Sequence, residues 1–86
     1  IGDSAFEYCD SIEAVYLPNS IIRIGSIAFW GCHKLTKIVI TNSHTNIGYC
    51  ALDNCESLKE IIVPNGTKSL YEKKLAGLEL IIKESI

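Results

Sequence analysis

Apolar and polar positions along the chain recur with a period of 23 residues. Residues 1–23, 24–46 and 47–69 align without a gap, and five columns are identical in all three rows. These are Ile1/Ile24/Ile47, Gly2/Gly25/Gly48, Ala5/Ala28/Ala51, Cys9/Cys32/Cys55 and Asn19/Asn42/Asn65. Three further columns are always aliphatic: Ile12/Leu35/Leu58, Val15/Ile38/Ile61 and Leu17/Ile40/Val63. A fixed period in this range predicts a solenoid. One coil cannot bury its apolar positions alone, whereas stacked coils share a continuous core.

Inward Val15, Leu17, Ile38, Ile40, Ile61 and Val63 alternate with outward residues, which is the period of a strand. Strands are expected over residues 13–17, 36–40 and 59–63, parallel and in register because each recurs once per coil. Pro18 and Pro64 end two of them, since proline has no N–H for the ladder. The Asn column follows at a turn, where an amide side chain bonds to nearby backbone. The Ile-Gly pair marks another corner, where glycine implies positive φ or a close backbone approach. Ala5, Ala28 and Ala51 suit a narrow part of the coil, and Phe6, Phe29 and Leu52 supply bulk opposite the strands.

The stretch IGDSAFEYCDSIEAVYLPNSIIRIG resembles the BspA-like (Treponema-type) leucine-rich repeat, whose pattern reads IGxxAFxxCxxLxxIxLPxSVxxIG. The resemblance covers residues 1–69 and implies a right-handed leucine-rich-repeat solenoid, mostly strand and loop. The chain departs from the pattern at a few positions. The aliphatic after the Pro-x-Ser turn is Ile21 in the first row but His44 and Thr67 in the others. Thr41 replaces the proline in row two, and Leu52 replaces the phenylalanine in row three, so the third coil reads as a transition to an end.

Residues 70–86 break the period and read as a capping unit. Ser69 or Thr67 is the expected N-cap of a short helix over 70–76, with Gly77 as its stop. A last strand is expected over 79–83, with Ile81 as the inward partner of Ile61. Tails of this kind are similar to those that close BspA-like arrays. No comparable cap precedes Ile1, which reads as a start inside a longer array. The open coil face there is an expected place of self-association.

Charge and chemistry narrow the function. The 86 residues carry 8 Lys plus Arg against 10 Asp plus Glu, a net charge of −2, so nothing drives phosphate binding and no nucleic-acid partner is expected. No apolar run reaches the roughly 20 residues of a membrane span, so no insertion is expected. Cys9, Cys32 and Cys55 share a column and read as a row of buried free thiols acting as small hydrophobes. Their spacing does not suit zinc, whose ligands come in close pairs. Disulfides along the row are disfavoured, because in-register Cβ atoms sit about one strand spacing, roughly 4.8 Å, apart. Cys50 lies outside the column and is the one thiol free to approach another.

His33 is expected to be solvated on the loop side and His44 half-buried, with no Ser, Asp or Glu placed to form a triad with either. The carboxylate pairs Asp10/Glu13 and Asp53/Glu56 fall at solvated turns, and general acid–base catalysis needs a pocket that shifts a pKa. The chain therefore reads as non-enzymatic, with no cofactor and no metal. Asn65-Gly66-Thr67 is a formal glycosylation sequon at an expected turn.

The outward strand residues form two stripes. Tyr16, Val39 and Ile62 make an apolar one; Ala14, Lys37 and Glu60 make a mixed one. An exposed apolar stripe marks an interface, although β-branched and aromatic residues also simply suit strands. Trp30 is a second candidate contact, or else packs along Tyr8 or Tyr49 of a neighbouring coil. The resemblance implies a recognition or adhesion module of a surface or secreted protein, with a host or matrix protein as partner. A structural spacer and an intracellular scaffold are the alternatives.

Overall fold

The computed structural model describes residues 1–85. Three parallel strands lie one per coil: β1 (Ala14–Leu17), β3 (Lys37–Ile40) and β5 (Glu60–Val63). Each begins one residue later than the alternation predicts. Two-residue strands β2 (Arg23–Ile24) and β4 (Asn46–Ile47) form a second, smaller parallel sheet at the Ile-Gly corner. A helix, α1 (Lys68–Lys74), and a last strand, β6 (Ile81–Glu84), follow. The main sheet runs in the order β1-β3-β5-β6. Its register is that of the repeat: Val15 faces Ile38, and Ile38 faces Ile61. The molecule is a parallel solenoid of about three turns with a short helix at its end.

The core is a stack of like residues. Leu17, Ile40 and Val63 form one row and Ile38, Ile61 and Ile82 another, with Leu35 and Leu58 beside them. Phe29, Ala28, Ala51 and Leu52 fill the core from the loop side. Phe6 stacks on Phe29 at 5.3 Å between ring centroids, almost parallel, yet stays 38% exposed on the first coil.

The invariant glycines are explained by close approach and not by positive φ. A Cβ on Gly25 would lie 2.6 Å from the Asp3 backbone N, and one on Gly48 would lie 2.6 Å from the Ser26 backbone N. Positive φ occurs instead in two other columns. Ser4, Ile27 and Cys50 form one, at φ 59, 60 and 54. Tyr8, Gly31 and Asn54 form the other, at φ 59, 75 and 60. For a β-branched residue such as Ile27 this conformation is costly and persists only because the stack imposes it.

The tail folds as a helix and a strand, with corrections to both: the helix ends at Lys74 and not at 76, and the strand spans Ile81–Glu84 and not 79–83. The helix begins at Lys68, two residues earlier than expected, and Thr67 stands at its N-cap without a side-chain capping bond. Its hydroxyl donates to the Pro64 carbonyl at 2.6 Å instead. Ile82, not Ile81, is the inward partner of Ile61; Ile81 pairs with Glu60 and is 60% exposed. The reason lies in the charges on either side. With Ile82 inward, Lys83 points out and reaches Glu60 at 3.0 Å. Glu84 then lies on the same face as Ile82, and its carboxylate accepts from the Gly66 and Lys68 N–H at 2.8 and 3.0 Å. The opposite choice would turn Lys83 into the core, where an unpaired charge is heavily penalised.

Tyr71 anchors the helix. It is fully buried, donates its hydroxyl to the Asn42 carbonyl at 2.7 Å and accepts from the Thr45 N–H at 2.9 Å. Thr45 is buried and its hydroxyl donates to the Ile21 carbonyl at 3.0 Å. His44, expected half-buried, is exposed, because the chain turns its neighbour Thr45 inward to meet Tyr71. His33 is half-exposed with Nδ1 3.5 Å from Asp10 Oδ1.

Candidate functional site

The outer face of the main sheet carries both stripes. Tyr16 is 67% exposed and Ala14 is exposed, while Val39, Ile62, Lys37 and Glu60 are half-buried. In-register pairing puts Tyr16, Val39 and Ile62 side by side, and likewise Ala14, Lys37 and Glu60. The tail lengthens both rows, a contribution that the sequence reading missed. Ile81 continues the mixed row beside Glu60, and Lys83 continues the apolar row beside Ile62. The Lys37 ammonium lies 5.6 Å from the Tyr16 ring centroid, a cation–π contact across the first junction. The Lys83–Glu60 ion pair lies across the last. The face is therefore an aromatic and aliphatic strip with a charged contact at each end.

Trp30 lies on the other side of the coil, half-buried, with its ring edge-on to Tyr8 at 5.1 Å. Tyr8 also covers Gly31, where an added Cβ would come 2.9 Å from its ring. Of the two neighbours available to Trp30, Tyr8 is the one it packs against, and Tyr49 stays 80% exposed.

The cysteine column, expected to be buried, is buried only at Cys32 and half-buried at Cys9 and Cys55, and its second and third thiols are hydrogen-bond donors. All four thiols are free. Cys32 Sγ donates to the Phe6 carbonyl at 3.1 Å and Cys55 Sγ to the Phe29 carbonyl at 3.0 Å, each reaching back one coil. Burial pushes the Cys55 thiol up to about 11 and raises that of Cys32 as well. Both are neutral donors that hold the stack, since a thiolate would have to sit against a carbonyl oxygen. Cys50 stands apart on the loop, where its hydrogen bond with the Asp53 carboxylate favours the protonated thiol. No cluster of three or more His, Cys, Asp or Glu able to hold a metal occurs among the described residues.

A parallel solenoid with one strand per 23-residue coil and an apolar row on its outer sheet face defines a leucine-rich-repeat module. The chain belongs to the BspA-type leucine-rich-repeat family: the family model, described as a BspA type leucine rich repeat region of six copies, matches residues 1–83. No curated protein and no solved structure matches the chain. Leucine-rich repeats generally mediate protein interactions, their solenoids are generally non-enzymatic, and the BspA type is common on surface or secreted proteins. No helix among the described residues is long and apolar enough to cross a membrane.

Proposed function

We propose that the chain is a recognition module of adhesion type, displayed on a cell surface or secreted, which binds a host or matrix protein through its outer sheet face. The observation that carries this reading is the row Tyr16–Val39–Ile62, whose aromatic end is 67% exposed. On a strand that needs only its inner residues for stability, an exposed tyrosine held by a lysine contact is a preformed anchor with few rotatable bonds. The flanking row of Ala14, Lys37 and Glu60, extended by Ile81, supplies polar contacts at the rim.

The test has two stages. Protease shaving of intact source cells, read by mass spectrometry, shows whether peptides of this array are released from outside. The purified chain is then applied to a panel of extracellular host and matrix proteins, beside Tyr16→Lys, Val39→Lys and Ile62→Lys variants checked for folding by circular dichroism. The expected result is release from intact cells and at least about tenfold weaker binding by each folded variant, which corresponds to about 1.4 kcal/mol. Release only after lysis removes the adhesion reading in favour of an intracellular scaffold. Folded variants that bind like the parent chain remove the sheet face as the site, and absence of any binding favours a spacer.

A further inference from the structure

Three backbone bonds at each loop-side junction run one way, opposite to the Gly25 and Gly48 N–H bonds to the Ile1 and Ile24 carbonyls at the corner. Ser4, Phe6 and Tyr8 donate their N–H to the carbonyls of Ser26, Ala28 and Trp30 at 2.9, 2.7 and 2.9 Å. One coil further on, Ile27, Phe29 and Gly31 donate to Tyr49, Ala51 and Asp53 at 2.9, 2.8 and 3.1 Å. In the third coil the same positions are Cys50, Leu52 and Asn54, and among the described residues no acceptor meets their N–H groups. Leu52 is only 3% exposed, and an unpaired N–H on so buried a residue is costly. On the sheet side the tail closes this coil by pairing β6 with β5. On the loop side it leaves two grooves, of about 460 and 590 Å³, that share Leu52, Asn54 and Leu78 in their walls. Leu58 and Leu80 add apolar surface to the first.

We propose that this open edge seats one extended peptide segment of another polypeptide, whose alternate carbonyls accept from the N–H of Cys50, Leu52 and Asn54 and whose bulky apolar side chain enters the groove at Leu58 and Leu80. The occupant's chemistry is written twice inside the molecule. The segments already seated this way are GSIAFWGC, residues 25–32, and GYCALDNC, residues 48–55. Their glycine lies where a Cβ would strike the coil beneath. Their alanine is buried, with a large apolar residue next to it. Their last cysteine donates its thiol to the carbonyl below. The Leu52 carbonyl stands in the place of the Phe6 and Phe29 acceptors. A peptide of pattern Gly-x-x-Ala-(Phe or Leu)-x-x-Cys therefore fits. A complete coil does not, because β6 already occupies the sheet side. Addition of a strand of carbonyls to a row of free N–H groups is an established mode of peptide recognition.

The experiment is amide hydrogen exchange by NMR on the whole chain, with the peptide GDSAFEYC, the sequence of residues 2–9, as probe. In the free protein, Cys50, Leu52 and Asn54 amides exchange fast while Ile27, Phe29 and Gly31 are protected. At roughly millimolar peptide the first three slow by about tenfold or more and the others do not change. A probe with Ala5→Glu and Phe6→Asp gives no protection. The proposal is overturned if the three amides are already protected without peptide, if the probe fails to slow them, or if the doubly substituted probe protects them equally. Because the changes are made in the peptide, loss of folding cannot mimic a negative result.

Discussion

On the sheet side, coils join through backbone pairing of parallel strands, and outward positions vary freely: Ala14, Lys37, Glu60 and Ile81 stand in one row. On the loop side, each junction is three N–H to carbonyl bonds plus a thiol bond, made by residues that include left-handed backbone. There the side chains are constrained, and Gly, Ala and Cys recur without exception in their columns. Strand pairing fixes spacing without asking which side chain points outward. Loop stacking brings backbone within van der Waals contact and admits only residues that leave room. The side that tolerates variation is thus the one free to carry a binding surface, and the constrained side keeps the stack aligned. Among the described residues the two sides also differ at the third coil: the sheet continues into a fourth strand, while the loop row does not continue.

The contrast can be broken most severely on the loop side. Gly48→Ala places a methyl 2.6 Å from the Ser26 backbone N and 2.7 Å from the Gly25 carbonyl carbon, so the coils must separate. We expect a loss of about 3 kcal/mol or more by urea unfolding. Gly2→Ala, which meets nothing within 4 Å, should change stability by less than about 0.5 kcal/mol. Equal effects would refute close approach as the reason for that column.

Next in size is the joint between helix and coil. Tyr71→Phe keeps the ring but leaves the buried Thr45 N–H without its acceptor, and should cost about 2 kcal/mol. Thermal unfolding measures it, and hydrogen exchange should show faster opening at Thr45. Glu84→Ala removes the carboxylate shared by the Gly66 and Lys68 N–H groups at an exposed site. About 1 kcal/mol is expected, with Glu84→Gln recovering part of it because an amide oxygen still accepts.

A last effect, confined to alkaline solution, is one of pH. The Cys55 thiol rises from 9.0 in the unfolded chain to about 11 in the fold. The unfolded chain releases this proton first, so folding stability falls as pH rises from 9.0 towards about 11. Below 9.0 the thiol is protonated in both states and contributes no slope. Cys55→Ala should flatten that part of the alkaline decline, and an unchanged profile would mean that the thiol ionises as easily in the fold as outside it.

Much of the fold was legible because a repeat averages out local ambiguity. Val15, Ile38 and Ile61 define each other's register, so one alternating pentapeptide became three parallel strands. The tail had no such copy. Ile81 and Ile82 are adjacent and equally apolar, and a strand has period 2, so a slip by one exchanges the faces of every residue in it. Only the partners of Lys83 and Glu84 resolved the choice. His44 was misplaced for a related reason: the column occupied by Ile21 predicted an apolar position, whereas the hydroxyl of Tyr71, 26 residues beyond Thr45, decided which neighbour turned inward. The stripes could be read from alternation, but their extension by Ile81 and Lys83 and the contact of Lys37 with Tyr16 required the assembled sheet.

The sequence by itself determined the period, the parallel strands and the rows of core residues, because each follows from spacing along the chain. The tertiary structure decided what spacing does not encode. It set the left-handed backbone at Ile27 and Cys50, the direction of the thiol bonds and the anchoring of the helix at Tyr71. Among the described residues it also left the donors at Cys50, Leu52 and Asn54 without acceptors. Each of these depends on which groups from distant parts of the chain meet when one coil lies on another.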